Sequence, residues 1–119
     1  MKKADMDRLQ RAEMSMMRWM CGSRQAARVS STALRSKLGG IAPISACVRR
    51  RRLAWLGHVE RSKDDGWLKR ACNLEVKGNV SAGRPKTTWE TVVNGDLKHL
   101  GIDKSLAHNR AWWRVAISL

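Results

Sequence analysis

The sequence contains no tyrosine and no phenylalanine, so six tryptophans supply all of its large aromatic side chains. Only two prolines and nine glycines occur among 119 residues, which excludes collagen-like and proline-rich chains. No apolar run approaches the roughly 18 to 20 residues that cross a bilayer, so we expect no membrane partner. Three cysteines, an odd number without a close pair, exclude a disulfide scaffold. They indicate reduced thiols and an intracellular protein.

Acidic residues are scarce: 10 Asp and Glu face 24 Lys and Arg, which gives a formal net charge of +14. Self-repulsion from this charge favours an anionic partner. The backbone of DNA or RNA is the commonest one, and a membrane surface and an acidic protein are the alternatives. The excess is +6 over residues 1–40, +7 over 41–86 and +1 over 87–119. The first two thirds are therefore the predicted contact surface, and the last third is a nearly neutral packing unit.

Apolar residues recur at helical spacing along the whole chain, and no segment shows the alternation of a strand. The sequence thus predicts an all-α fold, with five to six short helices in a small irregular bundle. Asp5, Thr87 and Asn109 are the predicted N-caps, Thr87 because Glu90 follows it at capping-box spacing. The predicted helices run from about 5 to 21, 31 to 38, 44 to 61, 67 to 74, 87 to 100 and 109 to 119.

Tryptophan and methionine supply most of the predicted core. The segment from about residue 44 to 119 is expected to pack around Trp55, Trp67, Trp89 and Trp113. For Trp19 and Trp112, core packing and stacking on unpaired bases both remain open. The first helix carries an apolar stripe that consists of Met6, Leu9, Met16, Met17 and Met20. We expect this helix to be loosely packed, with a bare methionine face that favours self-association.

Four consecutive arginines lie in the third predicted helix, just before Trp55. At about 100° per residue they sweep around the helix, so some of them must lie beside its apolar stripe. We favour phosphate binding, because a planar guanidinium bonds phosphate oxygens two at a time; the alternative is a solvated charge run. That stripe is formed by Ile44, Val48, Trp55, Leu56 and Val59. The predicted nucleic-acid-binding residues are Arg49, Arg50, Arg51, Arg52, Arg61, Lys63, Lys69, Arg70, Arg84 and Lys86.

Residues 77–86 form the one predicted linker. Its Gly83-Arg84-Pro85 segment is similar to the core of an AT-hook, which lies in a narrow A·T minor groove. A full hook has bases on both sides, whereas here Ala82 precedes the core and only Lys86 follows it. We favour a proline-stiffened lead-in to the helix at Thr87.

No metal or cofactor site is predicted. Structural zinc sites usually contain a close ligand pair such as Cys-x2-Cys or His-x3-His. No such pair occurs among the candidate ligands Cys21, Cys47, Cys72, His58, His99 and His108. His58 follows Gly57, which predicts a close helix contact at the glycine, with the histidine hydrogen-bonded nearby. No local motif supports a Ser- or Cys-dependent hydrolase or a small-molecule substrate.

Four ordered motifs cover the chain from about residue 5 to its end. The first is Met17-Arg18-Trp19-Met20-Cys21-Gly22, and the second is the run from Arg49 to Val59, RRRRLAWLGHV. The third is Gly83-Arg84-Pro85-Lys86 with Trp89, and the last combines Asp96-Leu97, Leu100-Gly101 and Asn109-Arg110-Ala111-Trp112-Trp113. Together they resemble the C-terminal region of non-LTR (LINE-type) retrotransposon reverse transcriptases. Four motifs in order, at plausible spacing, are far more specific than each alone.

The resemblance implies that residues 1–40 are the remnant of a thumb-like helical region and that 41–119 form a C-terminal basic helical domain. It also implies a nuclear role beside the rest of a reverse transcriptase, in target-primed synthesis. The polymerase of this family needs paired aspartates for two metal ions. The only adjacent pair here, Asp64-Asp65, lies in a predicted turn without flanking apolar strands. We therefore expect a fragment that holds template or target phosphates and is not itself an enzyme.

Two further hypotheses belong to other functional classes. In one, the chain is a helical protein-interaction module whose methionine face and Trp112-Trp113 dock on the rest of a polymerase, with the arginines merely solvated. In the other, it is an inactive transposon relic, which predicts an aggregating or partly unfolded chain. Replacing the arginines from Arg49 to Arg52 by alanine separates the first of these from nucleic-acid binding, because only binding to nucleic acid depends on them.

Overall fold

A computed structural model describes residues 3–23, 27–75, 78 and 82–118. Helices are the only regular elements in these ranges, so the predicted all-α fold is confirmed. None of the described helices is both long enough and apolar enough to span a bilayer. Part of the predicted linker 77–86 lies outside the described residues. The elements are α1 (Lys3–Met20), α2 (Ser31–Lys37), α3 (Ile44–Glu60), α4 (Trp67–Cys72), α5 (Trp89–Leu100), a 3₁₀ helix (Lys104–His108) and α6 (Arg110–Ala116).

Side-chain caps set the starts of α2, α5 and α6. Asn109 Oδ1 accepts the amide of Trp112 at 3.1 Å, so the predicted cap of α6 is confirmed. The predicted cap of α5 is wrong by one residue: Thr88, not Thr87, accepts the amide of Thr91, at 3.2 Å. An N-cap side chain accepts from the amide two or three residues later, and Thr88 meets that condition once α5 begins at Trp89. Asp5 lies inside the first turn of α1 and is not its cap.

The chain forms two compact units, and the boundary between them falls inside α3. The first unit extends to Arg49 and the second begins at Arg50. The sequence-based boundary, between residues 40 and 41, follows the glycines that end α2. The boundary in the structure lies later because the start of α3 belongs to the first unit.

The first unit is organised around one carboxylate. Glu13 on α1 accepts two hydrogen bonds from Arg35 on α2, at 2.9 and 2.7 Å, and one from the amide of Ile44, at 2.9 Å. These bonds stabilise the charged form and hold the pKa of Glu13 below its usual range. Beside them Met17 and Leu34 are buried, whereas the remainder of the methionine face is largely bare. A polar clamp therefore joins α1, α2 and the start of α3.

The second unit has a continuous apolar core around Trp113. Its indole is buried, and Nε1 donates a hydrogen bond to the carbonyl of Leu53 at 2.9 Å. A Cβ at Gly57 would lie 2.4 Å from that Nε1, so only glycine lets the indole approach α3 so closely. The close helix contact predicted at Gly57 is confirmed. The core residues are Leu53, Leu56, Val93, Leu97, Ala107, Trp113 and Ile117.

The prediction that four tryptophans share this core is wrong for three of them. Trp67 is 78% exposed, and Trp55 and Trp89 are 49% and 43% exposed. The buried residues of α3 are Leu53, Leu56, Gly57 and Val59, and Trp55 lies about 200° around the helix from Leu53, at the edge of this stripe beside Val59. The single indole of Trp113 therefore occupies the centre that four indoles were predicted to share.

Candidate nucleic-acid interface

A basic groove of about 600 Å³ runs between α3 and α6 in the second unit. Its cationic side chains are Arg61, Arg110 and Arg114, and His58 joins them. Buried Trp113 and Ile117 form the apolar part of its lining. No carboxylate is present among the described residues that line it. The groove thus combines three permanent positive charges with an apolar floor.

Local helix geometry places the two arginines of α6 at the groove. The core fixes the orientation of α6, because Trp113, Ala116 and Ile117 are buried. Arg110 and Arg114 are exposed and lie four residues apart, which puts them one turn apart on the same side of the helix. The cap at Asn109 starts the helix so that Arg110 is its first residue.

The opposite wall of the groove comes from the end of α3. His58 and Arg61 are three residues apart, so they lie on adjoining positions of one face. The Arg61 guanidinium donates a hydrogen bond from Nη1 to the carbonyl of Ala107 at 2.6 Å. This bond fixes the guanidinium to the second unit while Arg61 still lines the groove.

The electrostatics of the groove favour an anion. Like charges gathered over an apolar floor repel one another more strongly than they do in open water. Two carboxylates near this end of α3 pair with lysines: Glu60 with Lys104 at 3.1 Å, and Asp64 with Lys69. A phosphate in the groove relieves the repulsion and offers paired oxygens to the planar guanidinium groups.

The four arginines predicted to bind phosphate as a group are placed differently from one another. Arg50 and Arg51 are exposed and Arg49 is half-buried. Arg52 faces the second unit's interior, where Nε and Nη2 contact the two oxygens of Asp96 at 2.8 and 3.1 Å. Asp96 is itself buried. The prediction of a phosphate contact therefore needs correction at Arg52, whose guanidinium already holds a carboxylate in bidentate geometry.

Lys69, another predicted phosphate ligand, has a carboxylate partner in the structure. Its ammonium pairs with Asp64 and keeps the pKa of that carboxyl below the ordinary value. The same lysine lines a second cavity, of about 420 Å³, that carries Glu60, Asp64 and Glu90. Lys69 and Lys104 also line this cavity and pair with two of its three carboxylates, so the cavity has no excess of positive charge to attract a phosphate. The remaining predicted residues, Lys63, Arg70, Arg84 and Lys86, are exposed.

The sequence analysis predicts Arg61 as a nucleic-acid-binding residue but does not include Arg110 and Arg114, which line the groove with it. The charge of residues 87–119 is only +1, and this average hides two arginines that share one face. Their four-residue spacing, directly after a good N-cap, is the signal that could have identified them. The last third of the chain is therefore both a packing unit and one wall of the basic groove.

Cysteine and histidine side chains form no metal centre within the described ranges. No group of three or more His, Cys, Asp or Glu side chains is placed there to hold an ion. Cys21 and Cys47 are half-buried and Cys72 is exposed. The ring of His58 lies instead against Trp55, with centroids 5.2 Å apart and planes tilted by 30°. Stacking on an indole therefore replaces the hydrogen bond expected for His58.

No protein-family model, no curated protein and no solved structure matches this chain. The resemblance to non-LTR reverse transcriptases consequently rests on the four sequence motifs alone.

Proposed function

We propose that this chain binds nucleic acid through its phosphate backbone, without sequence preference, and that the α3–α6 groove is the centre of the contact. The observation that carries the proposal is the convergence of Arg61, Arg110 and Arg114 in one groove whose described lining contains no carboxylate. Phosphate contacts supply affinity and register but carry no sequence information directly. The footprint extends to the exposed cations Arg50, Arg51, Lys63, Arg70, Arg84 and Lys86.

The proposed origin explains why a binding role suffices. On the strength of the four motifs, the chain derives from the C-terminal region of a non-LTR retrotransposon reverse transcriptase. DNA synthesis then belongs to another region of the parent RNA-directed DNA polymerase, and this chain holds template or target strands beside it. Under this proposal the chain acts in the nucleus and is not an enzyme.

The groove is tested by removing two charges from it and two from elsewhere. The test variant is Arg110→Gln/Arg114→Gln, and the matched control is Arg8→Gln/Arg11→Gln on exposed positions of α1. Affinity for a fluorescent oligonucleotide is measured by anisotropy over a series of salt concentrations. The wild-type slope of log K against log salt is expected between roughly −4 and −7.

The groove variant should lose about tenfold or more in affinity, and its salt slope should be shallower by about 1.4 for a single strand, since two phosphate contacts are gone. The control should change the affinity less, because its charges lie outside the groove. Equal losses in the two variants would assign binding to net charge alone. Absence of binding at low salt would remove the proposal altogether.

A protein-interaction role is the second candidate, and the exposed end of α1 favours it. Trp19 is 84% exposed, and Met16 and Met20 are 64% and 56% exposed. Large apolar side chains grouped on a surface often mark a docking site. The expected partner is the helical region of the parent polymerase. If this candidate holds, Trp19→Ser should abolish capture of that region and leave nucleic-acid affinity intact.

A further inference from the structure

Trp55 is a large apolar side chain held at the surface with no place in the core. About half of its surface is exposed, and it stacks against His58, three residues later on α3. An exposed indole presents a flat π face to water, which is the surface on which nucleobases stack in proteins that bind single strands. Trp55 is not one of the buried residues of α3, which are Leu53, Leu56, Gly57 and Val59, so about half of the indole surface is left free for a ligand.

The position of Trp55 links it to the basic groove. His58 contacts the indole and also lines the groove with Arg61, Arg110 and Arg114. Arg51 precedes Trp55 by four residues and is exposed, so the two share one face of α3. The indole is therefore flanked by an arginine on one side and by the cationic groove on the other.

We propose that the ligand is an unpaired strand, with a phosphate in the α3–α6 groove and an adjacent base stacked on Trp55. This inference rests on the proposed function, because the groove must hold phosphate for the base to be delivered. Bases inside a duplex have both faces covered by their neighbours, so the indole can reach only an unpaired base. Every base has a π face, so the strand may have any sequence, and stacking does not distinguish DNA from RNA.

Other exposed tryptophans provide matched controls. Trp67 on α4 is more exposed than Trp55, yet it neither lines the groove nor stacks on a residue that does. If exposure alone caused base stacking, Trp67 would contribute as much as Trp55. Comparison of Trp55→Leu with Trp67→Leu therefore separates a placed indole from an exposed one.

The experiment uses three labelled ligands of equal length: an intact single strand, the same strand with several consecutive abasic sugars, and a duplex. The wild-type chain should bind the intact strand at least about fivefold more tightly than the abasic strand. Trp55→Leu should abolish that difference and leave affinity for the abasic strand unchanged. Trp55→Phe should keep part of the difference in affinity between the intact and the abasic strand, and Trp67→Leu should keep all of that difference. Circular dichroism melts establish that each variant is folded.

The outcomes separate the two proposals. Equal wild-type affinity for intact and abasic strands would overturn the stacking inference, as would a preference that survives in Trp55→Leu. If Arg110→Gln/Arg114→Gln weakens binding to all three ligands while no base preference exists, the phosphate groove stands and the indole has no role. If that double variant binds all three as the wild type does, the proposed function fails at its centre.

Discussion

The two units of this protein carry the same net charge, but different interactions stabilise each of them. Residues 1–49 contain ten bases and three acids, and residues 50–119 contain fourteen and seven, so each unit has a net charge of +7. Each also has one bidentate pair of arginine and carboxylate, Arg35 with Glu13 in the first and Arg52 with Asp96 in the second. Among the described residues, a core of seven buried apolar side chains occurs in the second unit and not in the first.

This difference shows that similar charge does not imply similar stability. In the first unit, the buried apolar side chains within the described ranges are Met17 and Leu34, so the polar clamp at Glu13 carries much of the organisation. In the second unit the clamp at Asp96 supplements packing around Trp113. We therefore expect the stability of the first unit to depend mainly on its charged pair, and the stability of the second unit to depend mainly on packing of its core.

The largest effect is expected when the contact between Gly57 and Trp113 is broken. Gly57→Ala places a methyl group 2.4 Å from the indole nitrogen, and overpacking of this kind should lower the free energy of unfolding by about 2 to 3 kcal/mol. Gly95→Ala on α5 is the control. It meets no atom within 4 Å, and the better helix propensity of alanine should raise stability by about 0.5 to 1 kcal/mol. Urea unfolding measures both; changes of the same sign would contradict the role given to this contact.

The next largest effect concerns the clamp of the first unit. Glu13→Gln leaves the Arg35 guanidinium without its carboxylate and weakens the acceptor for Ile44. Because the side chains of Glu13 and Arg35 are still 16% and 18% exposed, we expect the free energy of unfolding to fall by only about 1 to 2 kcal/mol. Hydrogen exchange should show reduced protection of α2 amides and unchanged protection of α5. Asp7→Asn removes the same charge from α1 and should leave α2 unaffected; if both units lose protection together, the comparison fails.

Acid should weaken the first unit through the same carboxylate. The pKa of Glu13 is lowered in the folded chain, chiefly by its hydrogen bond from Arg35. Its contribution is therefore complete above the carboxyl's unfolded pKa and is lost as pH falls through the lower folded value. Protection of α2 amides should decline in that window by no more than the Glu13→Gln replacement costs. In Glu13→Gln itself the decline should be absent, and a parallel decline in both chains would assign it to other groups.

The smallest effect is expected at the N-cap of α5 in the second unit. Thr88→Ala removes the side chain that accepts the Thr91 amide and should cost about 1 kcal/mol, seen first as fraying of α5. Thr87→Ala, at the cap that the sequence predicted, should change stability little. Amide exchange at the first turn of α5 distinguishes them. If Thr87→Ala lost more stability than Thr88→Ala, Thr87 would be the cap, as the sequence predicts.

Helix positions in this protein could be predicted from sequence because the signals are local. Asn109, Gly101 and the Gly39-Gly40 pair act within a few residues of the helix ends that they define. Gly57 could also be identified as a point of close approach. The residue that packs against Gly57 could not be identified, because Trp113 is 56 positions later and no local pattern connects the two.

The site was harder to predict than the fold because charge was averaged along the chain and not around each helix. Helical rotation predicts that some of the four adjacent arginines lie beside the apolar stripe, but it does not identify Arg52 as the one that pairs with Asp96. Arg110 and Arg114 lay in a segment whose net charge suggested packing only. Which arginines face a groove depends on the rotation of α3 and α6, and that rotation is set by contacts of the core.

The burial of one tryptophan among six has a consequence for how this protein is studied. Trp113 is sheltered, while Trp19, Trp55, Trp67, Trp89 and Trp112 are all at least two-fifths exposed. Emission of the native chain is therefore dominated by fluorophores in water and should shift little to the red on denaturation. A small red shift on denaturation is therefore expected even for a chain that is fully folded at the start. Quenching by iodide is the better test of folding, because the buried indole of Trp113 should give one component that iodide does not reach.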